Sequence, residues 1–328
     1  MKALSSMRSA VAAWRDGPDV PFPRSLVYDM TLDCNLSCPM CLYQGRGGPQ
    51  RPFTELAPGF ARIVDRFDHV YIIGAEPMMR DDLADAIAWF RKRGKAVTVQ
   101  SNGTINRPEV IASVDRFDTS LDGAERTNDA IRGPGSHSRT MAAIRCALEA
   151  GNMGTVSAVA LEENLDQIEP LALGLGRLGV AGLDLSPVVR YSPQEIASME
   201  ALGFSRDEVA MPPGAYGHRF RRDFRRLTRR LSGSPSVTLS PSFLWRDSGP
   251  FFDGRRKRGQ ACGAVYSLRI GPAGEVIHCA MIRRPFGTIL GCDPADLWRG
   301  PMLAFRRRLY RDGLYPVCYR CCKRSWIW

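Results

Sequence analysis

The stretch Cys34-Asn35-Leu36-Ser37-Cys38-Pro39-Met40-Cys41 places three cysteines at the spacing C-x3-C-x2-C. It follows an apolar, strand-like run from Ser25 to Leu32. A structural four-iron cluster normally takes four protein thiolates, so three on one short loop leave one iron open to an exchangeable small molecule. A zinc site or half of a disulfide framework uses the same residues and stays open as an alternative here.

Length and composition limit the class of protein. The 328 residues are enough for one large domain with an appendage or for two domains, and a hydrophobic content of 44% supports a sizeable core. No apolar run approaches the roughly 20 residues of a membrane span, and residues 1–23 lack the apolar segment of a secretory signal. We therefore expect a cytoplasmic protein with no membrane partner, in which ten cysteines favour metal ligation over disulfides.

The net charge of +11 is concentrated in two basic segments, 218–231 and 255–258. Four apolar residues of the first segment recur at helical spacing: Phe220, Phe224, Leu227 and Leu231. This pattern predicts an amphipathic helix with a solvated basic face. Docking of nucleic acid or of an acidic leader peptide is the alternative use of that face. The aromatic residues suit core contacts better than base stacking, so we do not expect nucleic acid as a partner.

Residues 25–190 alternate β-branched, apolar runs with helix-like segments. The predicted strands are Ser25–Leu32, Val70–Ile73, Val97–Gln100, Asp118–Leu121, Thr155–Leu161 and Gly182–Leu185. The predicted helices between them are Leu56–Phe67, Asp81–Arg93, Arg139–Ala150 and Leu165–Leu178. Repeated β-α units predict an α/β fold with a parallel sheet, and about six of them suit a partial (β/α)6 TIM-like barrel.

The residue composition and the pattern of apolar residues change twice after the predicted barrel. We divide the chain into an N-terminal extension at 1–24, the barrel at 25–190, an irregular connecting region with the basic helix at 191–259, and a small cluster-binding domain at 260–328. The last part contains predicted strands at 267–270 and 276–278 and a helix-like run at 294–308.

Active sites of β/α barrels form at the C-terminal ends of the strands, so polar residues there are the first candidates. Four motifs lie there, after the cysteine loop: Gly74-Ala75-Glu76-Pro77, Ser101-Asn102-Gly103, Ser120-Leu121-Asp122-Gly123 and Ile131-Arg132-Gly133. Asn-Gly and Asp-Gly are ordinary turn dipeptides when taken singly. The order and spacing of the set after the three cysteines is what indicates a common site.

With these motifs the chain resembles the radical S-adenosylmethionine (SAM) enzymes, which send an electron from such a cluster into the sulfonium and release a 5'-deoxyadenosyl radical. The resemblance implies a SAM cofactor and a 4Fe-4S cluster on Cys34, Cys38 and Cys41. The motif Gly74 to Pro77 is similar to the family's Gly-Gly-Glu-Pro, whose backbone and Glu receive the SAM amino group. Ala75 replaces the second glycine of that motif.

The resemblance also implies further cofactor contacts. Asn102, Ser120 and Asp122 lie in stretches that contact SAM in the family, and Arg132 supplies a guanidinium for its carboxylate. The position before the third cysteine is usually aromatic and lies near the adenine. Met40 occupies it here, and we expect it to contact the adenine together with Val159 or Leu161. The alternative is that the side chains of Met40, Val159 and Leu161 only fill the interior of the barrel.

A second group of cysteines lies near the C-terminus. Cys262 is followed by eleven residues, Gly274, four residues and Cys279, and then by 38 residues and the pair Cys318 and Cys321. This spacing resembles the auxiliary-cluster region called SPASM, or twitch in its shorter form. It implies a second, auxiliary 4Fe-4S cluster on these four cysteines, with Cys322 as a substitute for Cys321. A structural zinc site is the alternative.

A fully ligated second cluster can take a second electron from the substrate, which favours oxidation. The resemblance to twitch dehydrogenases of aminoglycoside-type antibiotic pathways points to a secondary alcohol in a cationic aminocyclitol or amino sugar. Four acids lie at strand ends, Glu76, Asp122, Glu162 and Asp184, and one or two that the cofactor does not use could bind its ammonium groups. The alternative is that they are solvated loop acids. Glu162, Asp184 or Tyr191 could accept the alcohol proton.

Two alternatives remain open. The first is maturation of a ribosomal peptide by epimerisation or cross-linking, although residues 1–23 are too short for a leader-binding domain. The second is a non-catalytic iron-sulfur module that senses redox state or contacts RNA through Arg219 to Arg230. A sensor has no need for Glu76, Asn102 and Asp122. For either enzyme we expect a flavodoxin- or ferredoxin-type electron donor.

Overall fold

The computed structural model describes residues 17–43, 47–234, 236–255, 260–322 and 324–326. Six parallel strands are β1 (Ser25–Thr31), β2 (His69–Gly74), β3 (Ala96–Gln100), β4 (Arg116–Ser120), β5 (Met153–Ala160) and β6 (Gly182–Pro187). Their order in the sheet is their order in the chain. The six predicted barrel strands are confirmed, because each predicted boundary lies within two residues of the observed one.

Helices connect these strands. They are α1 (Phe53–Ala61), α2 (Leu83–Arg91), α3 (Pro108–Ser113), α4 (Glu125–Arg132), α5 (Ser136–Glu149) and α6 (Ile168–Arg177). The sequence pattern did not predict α3 and α4. The first has only six residues, and the second is mostly polar, with just two buried side chains. Neither presents the apolar periodicity on which a helix prediction depends.

The sheet continues beyond the predicted barrel on both sides. The further strands are β7 (Val237–Leu239), β8 (Gln260–Cys262), β9 (Ser267–Ile270), β10 (Glu275–Ile277), β11 (Pro285–Thr288) and β12 (Arg324–Trp326). The full order is β11-β10-β9-β1-β2-β3-β4-β5-β6-β7, with β8 and β12 paired separately. β7 and β9 run parallel to β6 and β1. One sheet therefore crosses the boundaries predicted at 190 and 259, and the connecting region is not irregular throughout.

The remaining helices are α7 (Pro193–Ala201), α8 (His218–Leu231), α9 (Gly249–Phe252), α10 (Pro294–Arg299) and α11 (Pro301–Asp312). The predicted amphipathic helix is confirmed as α8, since its four predicted apolar residues are all buried. The predicted helix at 294–308 is two helices. Pro301 has no N–H for the ladder, and Gly300 before it has left the helical region with φ −95° and ψ −106°.

Within the described ranges, no helix is both long and apolar enough to cross a membrane. The second basic segment, 255–258, lies outside the described residues except for Arg255. Of the N-terminal extension, only residues 17–24 are described.

The two faces of the sheet have different chemistry. Tyr28 of β1 lies fully buried on the outer face, with its ring 5.0 Å from that of Phe60 in α1. The inner face carries polar groups instead. The Tyr71 hydroxyl donates to Gln100 Oε1 at 2.8 Å and to Asp118 Oδ2 at 3.2 Å. An interior of this kind suits a bound polar ligand better than a closed apolar core.

A buried ion-pair network joins the barrel to the C-terminal strands. Asp29 of β1 is fully buried and accepts two hydrogen bonds from Arg269 of β9, at 2.8 and 2.5 Å. Arg283 donates to the same carboxylate at 3.0 Å. Burial acts to raise the pKa of Asp29, but the charges of the two arginines hold it below its usual value. The carboxylate is therefore the charged link between β1 and β9.

Asp29→Asn should lower the free energy of unfolding by about 3–5 kcal/mol, because it leaves two buried guanidinium groups without their shared anion. Urea unfolding followed by circular dichroism measures this. Glu55→Gln is the matched control, since it breaks a half-exposed ion pair with Arg51 and should cost less than about 1 kcal/mol. Equal effects of the two substitutions would show that the network does not join the two parts.

Candidate active site

The loop after β1 presents the three predicted cluster cysteines. The backbone N–H of Leu36 donates to Cys34 Sγ at 3.4 Å, and that of Tyr43 donates to Cys41 Sγ at 3.3 Å. Hydrogen bonds to sulfur are among the contacts that stabilise and tune cluster thiolates. Burial raises the pKa of Cys34, and it raises the pKa of Cys38 to about 11. These thiols therefore need a positively charged ligand such as iron to become thiolates at neutral pH.

The loop after β3 holds the cysteine loop in place. Asn102 donates from Nδ2 to Asn35 Oδ1 at 2.9 Å and lies 3.7 Å from Cys34 Sγ. Asn35 in turn donates to Thr104 Oγ1 at 2.9 Å. The structure therefore brings the predicted residue Asn102 to the cysteines, with a role in positioning their loop.

The turn after β2 requires glycine at its first position. Gly74 has φ +139°, and a Cβ there would lie 2.3 Å from the carbonyl oxygen of Thr31. The close approach lets the N–H of Ala75 donate to that oxygen at 2.9 Å, while the N–H of Glu76 donates to the Asp33 carbonyl at 3.0 Å. The motif thus lies directly against the start of the cysteine loop, and Ala75 is accommodated in place of the second glycine.

Glu76 is fully buried and engaged by three donors. Its carboxylate accepts from the N–H of Met78 (2.9 Å), the hydroxyl of Ser101 (2.8 Å) and the N–H of Asn102 (2.6 Å). Pro77 begins the short 3-10 helix that provides the first donor. Burial raises the pKa of Glu76 to about 7 despite these donors. Its carboxylate joins the turn after β2 to the loop after β3, and its contact with SAM stays a prediction.

Asp122 and Arg132 form a buried pair beside the cysteines. Arg132 Nε donates to Asp122 Oδ2 at 2.6 Å, and the N–H of Val159 donates to Oδ1 at 2.7 Å. Burial acts to lower the pKa of Arg132, but Asp122 and the nearby Cys38 leave it raised. The guanidinium contacts Asp122 through Nε, and its contact with a cofactor carboxylate stays a prediction.

An open cleft of 570 Å³ adjoins the cysteine loop. Two of the predicted adenine contacts, Met40 and Leu161, line it. Val159 and Ser120 are at or near the ends of β5 and β4 and are not among the described residues that line it. The other apolar lining residues include Pro39, Ile131, Val188, Val189, Pro212 and Pro213. The cleft therefore combines a wide mouth with apolar walls next to the three cysteines.

Charged residues stand at the cleft, and the predicted acids are engaged by the protein itself. Arg190 donates to both oxygens of Glu162, at 2.7 and 2.9 Å. Burial acts to raise the pKa of Glu162, but Arg190 holds it below its usual value. Asp184 of β6 accepts from the Ser240 hydroxyl at 2.8 Å. Their role as proton acceptors stays a prediction, and both carboxylates already have partners.

Tyr191, the third predicted proton acceptor, is fully buried. Its hydroxyl donates to the carbonyl of Val317 at 2.7 Å, and burial raises its pKa well above the usual value. The guanidinium of Arg320 lies 5.3 Å from the ring centre. The described contacts give this tyrosine a structural function, joining the end of the barrel to the segment that carries Cys318.

The four C-terminal cysteines converge, although they come from separate elements. Cys262 ends β8, Cys279 follows β10, Cys318 lies in the 3-10 helix Pro316–Arg320, and Cys321 follows that helix. All four line one small cavity of 20 Å³. His278 is also there, with Nε2 3.4 Å from Cys262 Sγ. The predicted grouping is therefore present, and Cys321 rather than the exposed Cys322 faces the cavity.

The donor set at each group of cysteines fits an iron-sulfur cluster. Burial raises the pKa of Cys262 to about 12 and also raises that of Cys279. The buried arginines nearby can compensate the negative charge of thiolates on a cluster, whereas neutral thiols carry no charge to compensate. Among the described residues, no three His, Cys, Asp or Glu side chains are arranged to hold a single metal ion.

Sequence reasoning missed the arginines around these sites. Arg190, Arg306 and Arg324 were not predicted, and the last two are almost fully buried. No signal in the sequence could have separated them, because the chain has 45 lysines and arginines and most arginines lie at the surface. Only the topology brings them to the cleft and to the second group of cysteines.

Comparisons with known proteins agree with this geometry. Residues 28–173 match the Radical SAM superfamily. Mycofactocin maturase MftC of Mycolicibacterium smegmatis is 29% identical over 189 residues, which are 55% of this chain and 48% of that protein. The chain thus spans about half the length of that relative. PqqA peptide cyclase of Granulibacter bethesdensis is 22% identical over 332 residues, 93% of this chain and 81% of that protein.

Among solved structures, Streptococcus suis SuiB bound to precursor peptide SuiA matches with a TM-score of 0.66. The match covers 97% of this chain and 75% of that chain at 17% identity, which establishes a shared fold. The family match covers the barrel strands from β1 to β5, the cysteine loop and the four motifs at the strand ends. Residues 28–173, which carry the three-cysteine loop and the motifs at the strand ends, are therefore the part of the chain that is similar to the Radical SAM superfamily.

Proposed function

We propose that this protein is a radical SAM enzyme that matures a precursor peptide by oxidation or cross-linking. The observation that carries the proposal is the open 570 Å³ cleft beside the cysteine loop, which can admit a side chain of a longer substrate. Relatives named as a mycofactocin maturase and a PqqA peptide cyclase support the same substrate class. This choice replaces our expectation of an aminocyclitol substrate.

The acids that we expected to bind an ammonium group already have partners within the protein, which counts against the amino-sugar substrate. Glu76 is fully buried beneath three donors, and Asp122 is paired with Arg132. Glu162 is paired with Arg190. A cationic sugar would have to displace these partners, leaving buried or half-buried charges without compensation. A peptide needs no such exchange, because the apolar walls of the cleft can take its side chain.

Bound SAM and a reduced cluster supply a 5'-deoxyadenosyl radical that takes a hydrogen atom from carbon, and a second cluster supplies an acceptor for a further electron. Cys34, Cys38 and Cys41 hold the first cluster in our proposal. Arg132 orients the SAM carboxylate through its terminal nitrogens, and Met40 packs near the adenine. The protein's contribution is to hold the substrate carbon beside the radical and away from water.

We assign the second cluster to Cys262, Cys279, Cys318 and Cys321. The assignment is supported by their common cavity and by the position of Cys322 on the exposed side of the chain. A flavodoxin- or ferredoxin-type donor then supplies the electron for the first cluster. The product of the substrate radical is an oxidised or cross-linked residue, because a second electron and a proton leave the substrate.

Anaerobically reconstituted protein with reductant should convert SAM to 5'-deoxyadenosine, and a precursor peptide should increase the rate. The peptide to use is the synthetic product of a short reading frame next to the gene, with 2-deoxystreptamine as the competing probe. Chromatography and mass spectrometry measure nucleoside and product. Cys38→Ala should abolish the reaction. Stimulation by the aminocyclitol alone would restore the dehydrogenase reading, and full iron content without any nucleoside would indicate a non-catalytic module.

Arg132→Lys should weaken SAM binding by about 10- to 100-fold, the value of a hydrogen bond between charged groups. Lysine keeps the positive charge beside Asp122 but loses the planar fork that matches a carboxylate. Isothermal titration of the reconstituted protein measures the affinity. Arg139→Lys, at an exposed position of α5, is the matched control and should leave it unchanged. An unaltered affinity in Arg132→Lys would remove this residue from the SAM site.

Cys321→Ala should lose about half of the bound iron and sulfide after reconstitution, because it removes one ligand of the second cluster. Cys322→Ala should retain both, since the Cys322 side chain lies outside the cavity. Iron and sulfide analysis with electron paramagnetic resonance (EPR) spectroscopy distinguishes the two variants. The opposite result would make Cys322 the fourth ligand.

A further inference from the structure

The second group of cysteines is surrounded by buried arginines that the proposed reaction does not use. Arg306 is fully buried and Arg324 is 2% exposed. No carboxylate lies within ion-pair distance of either guanidinium in the part of the chain that the structure describes. Buried arginines without a carboxylate are unusual, because taking a charge out of water costs several kcal/mol. Their surroundings should therefore contain another anion.

Arg306 is held by neutral groups. Its Nε donates to the carbonyl of Pro18 at 3.0 Å, its Nη2 donates to the carbonyl of Trp298 at 2.8 Å, and its guanidinium lies 4.2 Å from the Trp298 ring centre. Its Nη1 is buried without a described hydrogen-bond partner. The charges that interact with it are those of the exposed Asp19 and of Cys262. The buried group that can supply a negative charge to it is therefore Cys262, once cluster ligation makes that thiol a thiolate.

Arg324 lines the cavity together with the cysteines. It donates to the carbonyls of Tyr319 and Arg255, the latter at 3.2 Å, and its Nε is buried without a described partner. Its charge interacts with Cys318 and Cys321. Cys318 and Cys321 thus share the cavity with a guanidinium that has no carboxylate partner among the described residues.

Arg269 completes the arrangement on the remaining side. Its charge interacts with Cys279. Each of the four cysteines therefore has a buried arginine acting on it. Arg269 is paired with Asp29, and Arg283, which shares that carboxylate, also lies 3.7 Å from Glu275, so carboxylates offset the charge on this side.

Burial lowers the pKa of both Arg306 and Arg324 to about 10. They remain protonated at neutral pH, so the charges are present in the working protein. Four thiolates on an iron-sulfur core carry more negative charge than the core offsets, and one-electron reduction adds another. Fixed positive charge in a dry site favours the more negative state, and net charge is one of the factors that set a cluster potential.

We propose that Arg306 and Arg324 form a cationic shell that raises the reduction potential of the auxiliary cluster and so makes it an electron acceptor. The inference rests on the assignment of that cluster to the four C-terminal cysteines. The reduced cluster holds one added electron, which comes from the substrate as the substrate is oxidised. The arginines do not touch the substrate, and their effect is on the potential alone.

The test is a redox titration of the full-length protein holding both clusters, followed by EPR. The signal that does not change on addition of SAM belongs to the auxiliary cluster. Arg324→Gln should disfavour one-electron reduction of that cluster about tenfold, a shift of about 59 mV to lower potential. Arg324→Lys, which keeps the charge, should stay near the wild-type potential. Arg222→Gln, on the exposed face of α8, should leave it unchanged.

The Gln and Lys variants differ in charge, so an equal potential in the two would overturn the proposal. If Arg324→Gln does not retain its cluster, Arg306→Gln and Arg306→Lys repeat the comparison. Retention of the auxiliary cluster in the Lys variants and its loss in the Gln variants at both positions would also support a requirement for charge. Wild-type protein that binds iron for a single cluster would instead refute the cluster assignment, before any potential is measured.

Discussion

Asp29 accepts hydrogen bonds from Arg269 and Arg283 inside the protein, and the two halves of the site depend on this contact. It ties β1, which precedes the cysteine loop, to β9, which pairs with β10, the strand that Cys279 follows. Arg269 also donates to the hydroxyl of Tyr43 at 2.6 Å, two residues after Cys41. One guanidinium therefore contacts a residue of the first cysteine loop while its charge acts on the second group of cysteines. The interaction fixes the relative placement of the two groups.

Because β9 pairs directly with β1, the C-terminal region is an extension of the barrel sheet. The register pairs Ser25 with Ser267 and Tyr28 with Ile270. A rigid connection of this kind suits electron transfer, which requires a constant separation between donor and acceptor. The same continuity places β9, β10 and β11, which follow the predicted boundary at 259, in one sheet with the barrel strands.

Much of this arrangement could be predicted from residue patterns. The three-cysteine loop, the glycine turn at Gly74 and the grouping of four distant cysteines follow from spacing and from resemblance, since those features are encoded by a few residues of unusual type. The partners of the acids could not be predicted. Glu162 pairs with Arg190 and Asp122 with Arg132, and nothing in the local sequence distinguishes these arginines from solvated ones. The expectation of an aminocyclitol substrate gained no support for that reason. It rested on the number of acids at strand ends, and the sequence does not show which of them are paired with arginines.

The pairing of β1 with β9 also affects how the chain is made. The Asp29 and Arg269 side chains that meet in the folded protein are separated by 240 positions in the sequence. On a ribosome, β1 emerges long before β9, and the edge of β1 that pairs with β9 has no partner until residues 267–270 have been synthesised. An unpaired strand edge is a template for aggregation, and contacts of such long range form slowly. The cysteine loop at the end of β1 therefore belongs to a sheet that stays incomplete until β9 emerges, more than 200 residues later in synthesis.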